Sequence, residues 1–275
     1  MRHRGRLLLI LACGFLPVAS KAFGAEVMEW TIAGETRQAM VFPPSVPGPP
    51  KSPVVLVFHG HGGTMQNMER LGFQREWPEA IVVCPQGLPT KTALDQEGKR
   101  SGWQPQEGNY NNRDLKLVDA ILKTLREKYP VDDRRVFATG HSNGGAFVYL
   151  LWGTRSKDLA AIGPVAAGAR AIRWSENLTP LPVIHIAGEK DDIVPLENQQ
   201  RSMAQVRKVN GCSNSGQPWK TAGQLTGTLY ASTYDAPLVA VIHPGGHGYP
   251  ADAPKLIVQF FQEVTAGKPR SNAVK

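Results

Sequence analysis

Six apolar runs, each four or five residues long, restrict the folds open to this chain. They are Val54–Phe58, Ile81–Cys84, Val136–Thr139, Ile162–Ala166, Val183–Ala187 and Leu238–Ile242. Uninterrupted apolar runs of strand length indicate strands that are buried on both faces. Two weaker runs, Val27–Ile32 and Thr36–Val41, precede them, and we expect these to form an antiparallel edge.

Helical patterns lie between the apolar runs. Apolar residues recur at helical spacing within 114–129, and Pro130 ends that segment. Further helices are expected at 144–153, 196–209 and 253–264. Alternation of strand and helix predicts an α/β fold, a doubly wound and mostly parallel sheet with helices on both faces.

The N-terminus has the organisation of a secretory signal. A basic start, MRHRGR, precedes the apolar run LLLILACGFLPVA and the small residues of KAFGAE. We therefore predict a signal peptide at 1–24, a catalytic domain at 25–266 and a basic tail at 267–275. A short membrane anchor, or a lipoprotein signal that uses Cys13, is the alternative; cleavage of the signal would leave an exported protein without a membrane segment.

Most of the positive charge lies at the two ends. The chain carries a formal net charge of +8, and the two terminal segments hold seven of these charges, which leaves +1 for the central domain. The central part has no basic patch interleaved with aromatic residues. We therefore expect no nucleic-acid partner.

Two cysteines remain beyond the predicted signal, Cys84 and Cys212. In an oxidising compartment they either pair or stay as two thiols, and their positions in the sequence do not decide between these states.

Residues 85–111 are too long and too polar for a plain connection. They follow the end of a predicted strand, where open α/β sheets bind ligands. Trp103 and Tyr110 in this segment are candidates to stack on an aromatic or sugar part of a substrate. The alternative is that both are packed for stability. Residues 210–229 show no clear pattern.

The sequence Gly140-His141-Ser142-Asn143-Gly144 lies between a predicted strand and a predicted helix. In that setting the G-x-S-x-G pattern places a serine on a sharp turn and aims the N–H groups of the following helix towards it. We predict Ser142 as a nucleophile; a glycine-rich turn whose serine only caps the helix is the alternative.

A serine nucleophile needs a base and an acid that orients the base, in the chain order serine, acid, histidine for this kind of fold. Asp191 and Asp192 follow the strand at 183–187, and we expect Asp191 to be the acid, with Asp192 as the alternative. His247 lies in a glycine-flanked loop and is the expected base. His243, which ends its strand, and His185, within a strand, are expected to be structural.

The segment VFHGHGGT at 57–64 follows the most apolar strand and is typical of a loop that binds an oxyanion. The backbone N–H groups of His61 and Asn143 are the expected donors. A metal site that uses His59 and His61 is the alternative, but no cluster with zinc-type spacing accompanies them. We expect no metal or organic cofactor.

Several segments together resemble the exported α/β-hydrolases that include polyhydroxybutyrate depolymerase-like, feruloyl and acetylxylan esterases. The resemblance runs from about Val54 to Phe261 and includes VVLVFHGHGGT, VVCPQG, SGWQ, YPVDDRRVFATGHSNGGAF, GEKDDIVP, NGC and GGHGYP. It implies an α/β-hydrolase fold with Ser142 as nucleophile, Asp191 as acid and His247 as base. It also implies an oxyanion contribution near His61 and a substrate-facing role for Trp103.

This chain departs from many of those relatives at two places near the expected site. It has His61 where they carry cysteine, and Gly248-Tyr249 where they carry Thr-Trp after the histidine. Substrate preference is therefore not transferred, and we expect a small or oligomeric ester as the partner. A serine peptidase or acyltransferase with the same residues is the alternative, and a non-catalytic binding protein on this scaffold is the third hypothesis.

Overall fold

The computed structural model describes residues 24–170, 172–174 and 177–266. The predicted signal peptide, apart from Gly24, and the predicted tail at 267–275 lie outside the described residues. In the described part, the main sheet is built from ten strands. They are β1 (Glu26–Ile32), β2 (Glu35–Phe42), β3 (Ser52–Phe58), β4 (Ile81–Pro85), β7 (Val131–His141), β8 (Ala161–Val165), β9 (Val183–Gly188), β10 (Gln217–Ala222), β11 (Leu225–Tyr230) and β12 (Leu238–His243). β5 (Leu88–Pro89) and β6 (Ser101–Gly102) form a separate two-stranded ribbon in the long segment.

The strand order in the main sheet is β1-β2-β4-β3-β7-β8-β9-β12-β11-β10. The six strands from β4 to β12 in this order are mutually parallel, and antiparallel strands flank them on both sides. The predicted fold class is confirmed, including the antiparallel pair β1–β2. The hairpin β10–β11 was not predicted, because its strands mix polar and apolar residues without a continuous apolar run, and most of these residues are exposed or half-buried.

Six α-helices cover the sheet in the described part of the chain. They are α1 (Met65–Leu71), α2 (Phe73–Glu76), α3 (Arg113–Lys128), α4 (Asn143–Arg155), α5 (Leu196–Val209) and α6 (Ala253–Thr265). The four longest match the four predicted helices within about two residues. The short α1 and α2 were not predicted, because seven and four residues carry too little periodicity to be recognised. Among the described residues, no helix has both the length and the apolar character needed to cross a membrane.

Side chains of the central strands alternate between two apolar layers. In β3, Val54, Leu56 and Phe58 pack in one layer, while Val55 and Val57 pack in the other. Successive strand residues point to opposite faces, so continuous apolar runs are what a sheet covered on both sides requires. The sheet is thus a rigid base, and the carboxyl ends of β3, β7, β9 and β12 lie at one edge of it.

A buried ion pair fixes the start of α3 to the sheet. Arg37 of β2 and Asp114 are fully buried, with Arg37 Nη2 2.8 Å from Asp114 Oδ1. The other carboxylate oxygen of Asp114 accepts a hydrogen bond from the backbone N–H of Gln104 at 2.7 Å. Because a buried charge is costly unless it is paired, this arrangement holds the long segment before α3 in one place.

Cys84 and Cys212 are not bonded to each other in the structure. Cys84 is buried within β4, and Cys212 follows α5 at the opposite side of the sheet order. Burial raises the pKa of the Cys84 thiol, which therefore stays protonated.

Candidate active site

Ser142 occupies the turn between β7 and α4. Its backbone has φ 52° and ψ −116°, a conformation that non-glycine residues rarely adopt. A Cβ at Gly140 would lie 2.6 Å from the carbonyl carbon of Gly144, and a Cβ at Gly144 would lie 2.5 Å from the carbonyl oxygen of Phe58. Only glycine fits at these two positions, so the turn can lie tightly against β3 and present the serine side chain.

The side chains of Ser142, His247 and Asp191 form a continuous hydrogen-bonded series. His247 Nε2 lies 2.8 Å from Ser142 Oγ, and His247 Nδ1 lies 2.9 Å from each carboxylate oxygen of Asp191. A carboxylate only accepts, so Nδ1–H donates to Asp191 and Nε2 is left to accept the Ser142 hydroxyl proton. This is the geometry that a serine nucleophile and its base require.

The loops after β9 and β12 bring the acid and the histidine together. The backbone N–H of Glu189 donates to the carbonyl of His243 at 2.8 Å, and that of Lys190 donates to Gly245 at 3.0 Å. These bonds join the first residues of one loop to the other. The predicted acid and base therefore lie beside each other although they are far apart in sequence.

Asp191 is buried and its carboxylate is held by its own loop. Oδ1 accepts the backbone N–H groups of Ile193 at 3.0 Å and Val194 at 2.8 Å. Asp192, the alternative acid, is exposed and borders the cavity beside Ser142. The structure thus places Asp191, rather than Asp192, against the imidazole.

Two further histidines support the same loop. His141 Nε2 lies 2.7 Å from the backbone carbonyl of His247, and burial lowers the pKa of His141, so this neutral ring donates to the carbonyl. His243 Nδ1 accepts the N–H of Gly245 at 3.1 Å. His141 was not predicted as a site residue, because its place in the G-x-S-x-G pattern accepts any residue and carries no signal of its own.

His61 and Asn143 border the cavity in front of Ser142. Their backbone N–H groups donate to no acceptor among the described residues. His61 Nε2 lies 3.0 Å from Asp95 Oδ2, a contact between residues 57–64 and the long segment 85–111 that was not predicted from the sequence. The N–H groups of Gly98, Lys99 and Arg100 also bind Asp95, and they hold the pKa of its carboxyl at about 2.

A cavity of about 900 Å³ opens onto Ser142. Arg170, Asp192 and Arg201 bring charge to its border. Its apolar side is formed by Leu94, Ala146, Ile172, Trp174, Ile193 and Val194. A cavity of this size accommodates an organic ligand much larger than an acetyl group.

Trp103 and Tyr110 do not line this cavity, which differs from the stacking expected of them. The Trp103 side chain is fully buried against Phe58 and Phe147, and its Nε1–H donates to the carbonyl of His59 at 2.8 Å. The Arg113 guanidinium packs over the Tyr110 ring, 4.3 Å from the ring centroid. Trp103 belongs to the packing beneath the site because its buried indole contacts the rings of Phe58, His59 and Phe147.

The described residues contain no group of three or more side chains arranged to hold a metal ion. The His59 ring, considered as a ligand from the sequence, is buried. Its Nδ1 lies 2.8 Å from the carbonyl of Gly60, and its Nε2 accepts the N–H of Gly87 at 2.9 Å. Burial lowers the pKa of His59 to about 4, so the ring is neutral at pH 7.

Comparisons with known proteins identify relatives of this chain and solved structures with its fold. Feruloyl esterase C of Emericella nidulans is 27% identical to this chain over 210 residues, which are 72% of each protein. The structure of an acetyl xylan esterase from Aspergillus awamori superposes with a TM-score of 0.64 and 16% identity, covering 86% of this chain and 98% of that one. A ferulic acid esterase from Anaeromyces mucronatus, solved with ferulic acid, gives a TM-score of 0.58 and 16% identity, covering 87% and 89%. These two structures show that the fold is shared.

A protein family matches well over half of the chain. Residues 44–222 match the family described as phospholipase/carboxylesterase. This segment contains Ser142 and Asp191, and the curated relatives that align with the chain are esterases. The chain therefore belongs to the phospholipase/carboxylesterase family and is a hydrolase that acts on ester bonds.

Proposed function

We propose that this protein is an exported serine esterase that cleaves carboxylic esters through an acyl-enzyme on Ser142. The observation that carries the proposal is the series of contacts from Ser142 Oγ to His247 and from His247 to Asp191, at 2.8 and 2.9 Å. A serine hydroxyl is a poor nucleophile unless a base of this kind takes its proton. Asp191 holds the imidazole in the tautomer that does so.

The reaction proceeds in two acyl transfers. Ser142 Oγ bonds to the acyl carbon while His247 Nε2 takes the hydroxyl proton, and the carbonyl electron pair moves onto oxygen. The N–H groups of His61 and Asn143 stabilise this oxyanion. The tetrahedral carbon then expels the alcohol, which receives the proton from His247. Water repeats the attack on the acyl-enzyme, which releases the acid and returns Ser142.

The cavity supports a substrate with a bulky acyl or alcohol group. Its apolar wall suits an aromatic or aliphatic group, and its volume exceeds what an acetyl group fills. Relatives named as feruloyl and acetyl xylan esterases make feruloyl esters and acetylated sugars the first candidates, with hydroxybutyrate oligomers the third. Among these we propose the larger esters, feruloyl or oligomeric, over simple acetates.

The experiment is a comparison of Ser142→Ala with wild type on a panel of these three ester classes. Ser142→Ala removes only the nucleophile, so turnover should fall to the background rate while the circular dichroism spectrum stays that of wild type. Ser45→Ala, at an exposed serine, is the matched control and should retain full activity. Retained turnover in Ser142→Ala would refute the acyl-enzyme. Cleavage of matched amides, or transfer to an added alcohol, would instead favour the peptidase or acyltransferase alternative.

We also propose that the signal peptide at 1–24 is removed on export, leaving a domain at 25–266 and a basic tail at 267–275. Support comes from the basic start, the apolar run and the small residues that follow it. Expression of the full chain with cell fractionation, followed by intact mass measurement, tests this. A mature protein in the cytoplasm that begins at Met1 would contradict it.

A further inference from the structure

A row of buried polar side chains continues the hydrogen bonds of the site beyond Asp191. Gln199 Nε2 lies 3.0 Å from Asp191 Oδ2, His185 Nε2 lies 3.1 Å from Gln199 Oε1, and the Tyr149 hydroxyl lies 2.7 Å from His185 Nδ1. Tyr149, His185 and Gln199 are all fully buried. They come from three separate elements, α4, β9 and α5, and none of them touches the cavity.

The direction of every hydrogen bond in this row is determined by its end at Asp191. Gln199 faces two groups that only accept, the Asp191 carboxylate and the carbonyl of Val194 at 2.7 Å. The amide must therefore turn its NH₂ towards them, which leaves its oxygen for His185. His185 then donates from Nε2, and its Nδ1 accepts the hydroxyl proton of Tyr149.

Burial keeps the row neutral. It lowers the pKa of His185 to about 4, so the ring carries a single proton at pH 7, and it raises the pKa of Tyr149, so the hydroxyl stays protonated. Every polar atom that faces along the row has a partner. A buried amide or imidazole without one would be costly, so the arrangement resists rotation of Gln199.

We propose that Gln199 is a positioning residue for the catalytic acid, and that Tyr149 and His185 fix the orientation in which Gln199 donates to Asp191. This inference rests on the proposed function, because it assigns Asp191 the orienting role. Asp191 Oδ1 is already held by the backbone of its own loop. Gln199 supplies the donor to Oδ2, so the carboxylate cannot turn away from His247.

Loss of the Gln199 donor should change the pH dependence of the reaction in a predictable direction. A hydrogen bond from Gln199 spreads the negative charge of Asp191; without it, the carboxylate attracts the protonated imidazole of His247 more strongly. The acid limb of kcat/KM reports the deprotonation of the essential base. We therefore expect that limb to move to higher pH when Gln199 is replaced by an apolar residue.

Other charged and titratable groups near the pair are left in place by this substitution. His141 of β7 and His243 of β12 face the Asp191 carboxylate, and Glu189 faces His243. Asp192, Arg170 and Arg201 border the adjoining cavity. A shift of the acid limb on replacement of Gln199 is therefore assigned to the missing donor.

The test compares Gln199→Leu with Asn210→Leu. Asn210 is a buried amide at the other end of α5, and among the described residues its side chain bonds only to the backbone of Leu181. For Gln199→Leu we expect kcat to fall about 10-fold with KM little changed, and the acid limb to rise by about half a pH unit. Asn210→Leu should lower the melting temperature and leave the limb in place. A wild-type pH profile in Gln199→Leu would overturn the proposal.

Tyr149→Phe provides a milder variant if Gln199→Leu does not fold. It removes only the hydroxyl that donates to His185, and its effect is read by NMR on the His247 Nδ1 proton, which is shared with Asp191. We expect this resonance to move in Tyr149→Phe and to stay unchanged in Asn210→Leu; an unmoved resonance would overturn the role of Tyr149 and His185. The resonance needs no turnover, so it separates failure of this proposal from failure of Ser142 as the nucleophile.

Discussion

The side-chain amide of Asn143 forms two hydrogen bonds with the backbone of Trp103. Asn143 Oδ1 accepts the N–H of Trp103 at 2.7 Å, and Nδ2 donates to its carbonyl at 3.3 Å. Because the Trp103 indole is buried in the core, this pairing ties the first residue of α4 to a rigid part of the long segment. The Asn143 backbone N–H is an oxyanion donor in the proposed mechanism, and a preorganised donor stabilises charge without moving, so we expect this pairing to hold the donor in position.

Asn143→Ala should reduce kcat about 10-fold with little change in KM, because the backbone donor remains but loses its tether. Asn143→Asp should cost more, since it keeps the acceptor for Trp103 and adds a negative charge beside the oxyanion. Steady-state kinetics on one aryl ester measure both. Wild-type kcat in Asn143→Ala would show that the tether has no part in the reaction.

Separate replacement of Asp191 and Asp192 by asparagine shows which of the two orients His247. Asp191→Asn should lower kcat/KM by about 10³-fold or more, because the amide no longer holds the imidazole in the required tautomer. Asp192→Asn, at the exposed neighbour, should stay within about 3-fold of wild type. The reverse ranking would transfer the role to Asp192.

The contact between His61 and Asp95 should control the shape of the cavity. Thr92, Ala93 and Leu94 form part of the cavity wall, and Asp95 connects this stretch to His61. We expect Asp95→Asn to raise KM about 5-fold with a smaller change in kcat, because the wall loosens while the nucleophile is untouched. Glu97→Gln is the matched control: it neutralises an exposed acid on the same loop and should leave both constants unchanged.

Stability should fall as the pH is lowered from about 7 to about 4.5. Burial lowers the pKa of His59 and His185 from 6.5 to about 4, so both rings stay neutral in the native state while the unfolded chain takes up two protons. The unfolded state then binds more protons, and each histidine costs about 1.4 kcal/mol of unfolding free energy per pH unit within this window. Urea titrations across this range give the unfolding free energy at each pH. Its slope against pH should be shallower in His59→Gln than in wild type, by the equivalent of about one proton. Equal slopes would contradict the neutral burial of His59.

The order of strands and helices could be predicted because the core strands are apolar on both faces. β3 and β9 were recognised from Val54–Phe58 and Val183–Ala187, because short continuous apolar runs are typical of strands that are buried on both faces. The hairpin β10–β11 could not be recognised, because its stability comes from pairing with β12 and from contacts such as Trp219 with α6. Those contacts join residues that are distant along the chain.

Candidate site residues could be named from the sequence where local patterns suggest chemistry, but not where residues distant along the chain meet. Ser142 and His247 were predicted from the turns in which they lie, and the structure brings their side chains within 2.8 Å of each other. The Asn143–Trp103 pairing and the Gln199–Asp191 hydrogen bond could not be predicted. In each case the sequence around the amide contains no pattern that identifies its partner. For Trp103 the sequence left stacking on a substrate and packing for stability both open, because the neighbours that bury it, Phe58 and Phe147, belong to β3 and α4.

Formation of a covalent bond at Ser142 is the central step of the proposed mechanism. The direct measurement is mass spectrometry of the protein after reaction with a serine-reactive phosphonate, followed by peptide mapping. The account predicts one adduct per chain, on Ser142, which is absent from Ser142→Ala and forms more slowly in His247→Ala. An adduct on a different residue, or no adduct on an enzyme that still hydrolyses esters, would contradict it.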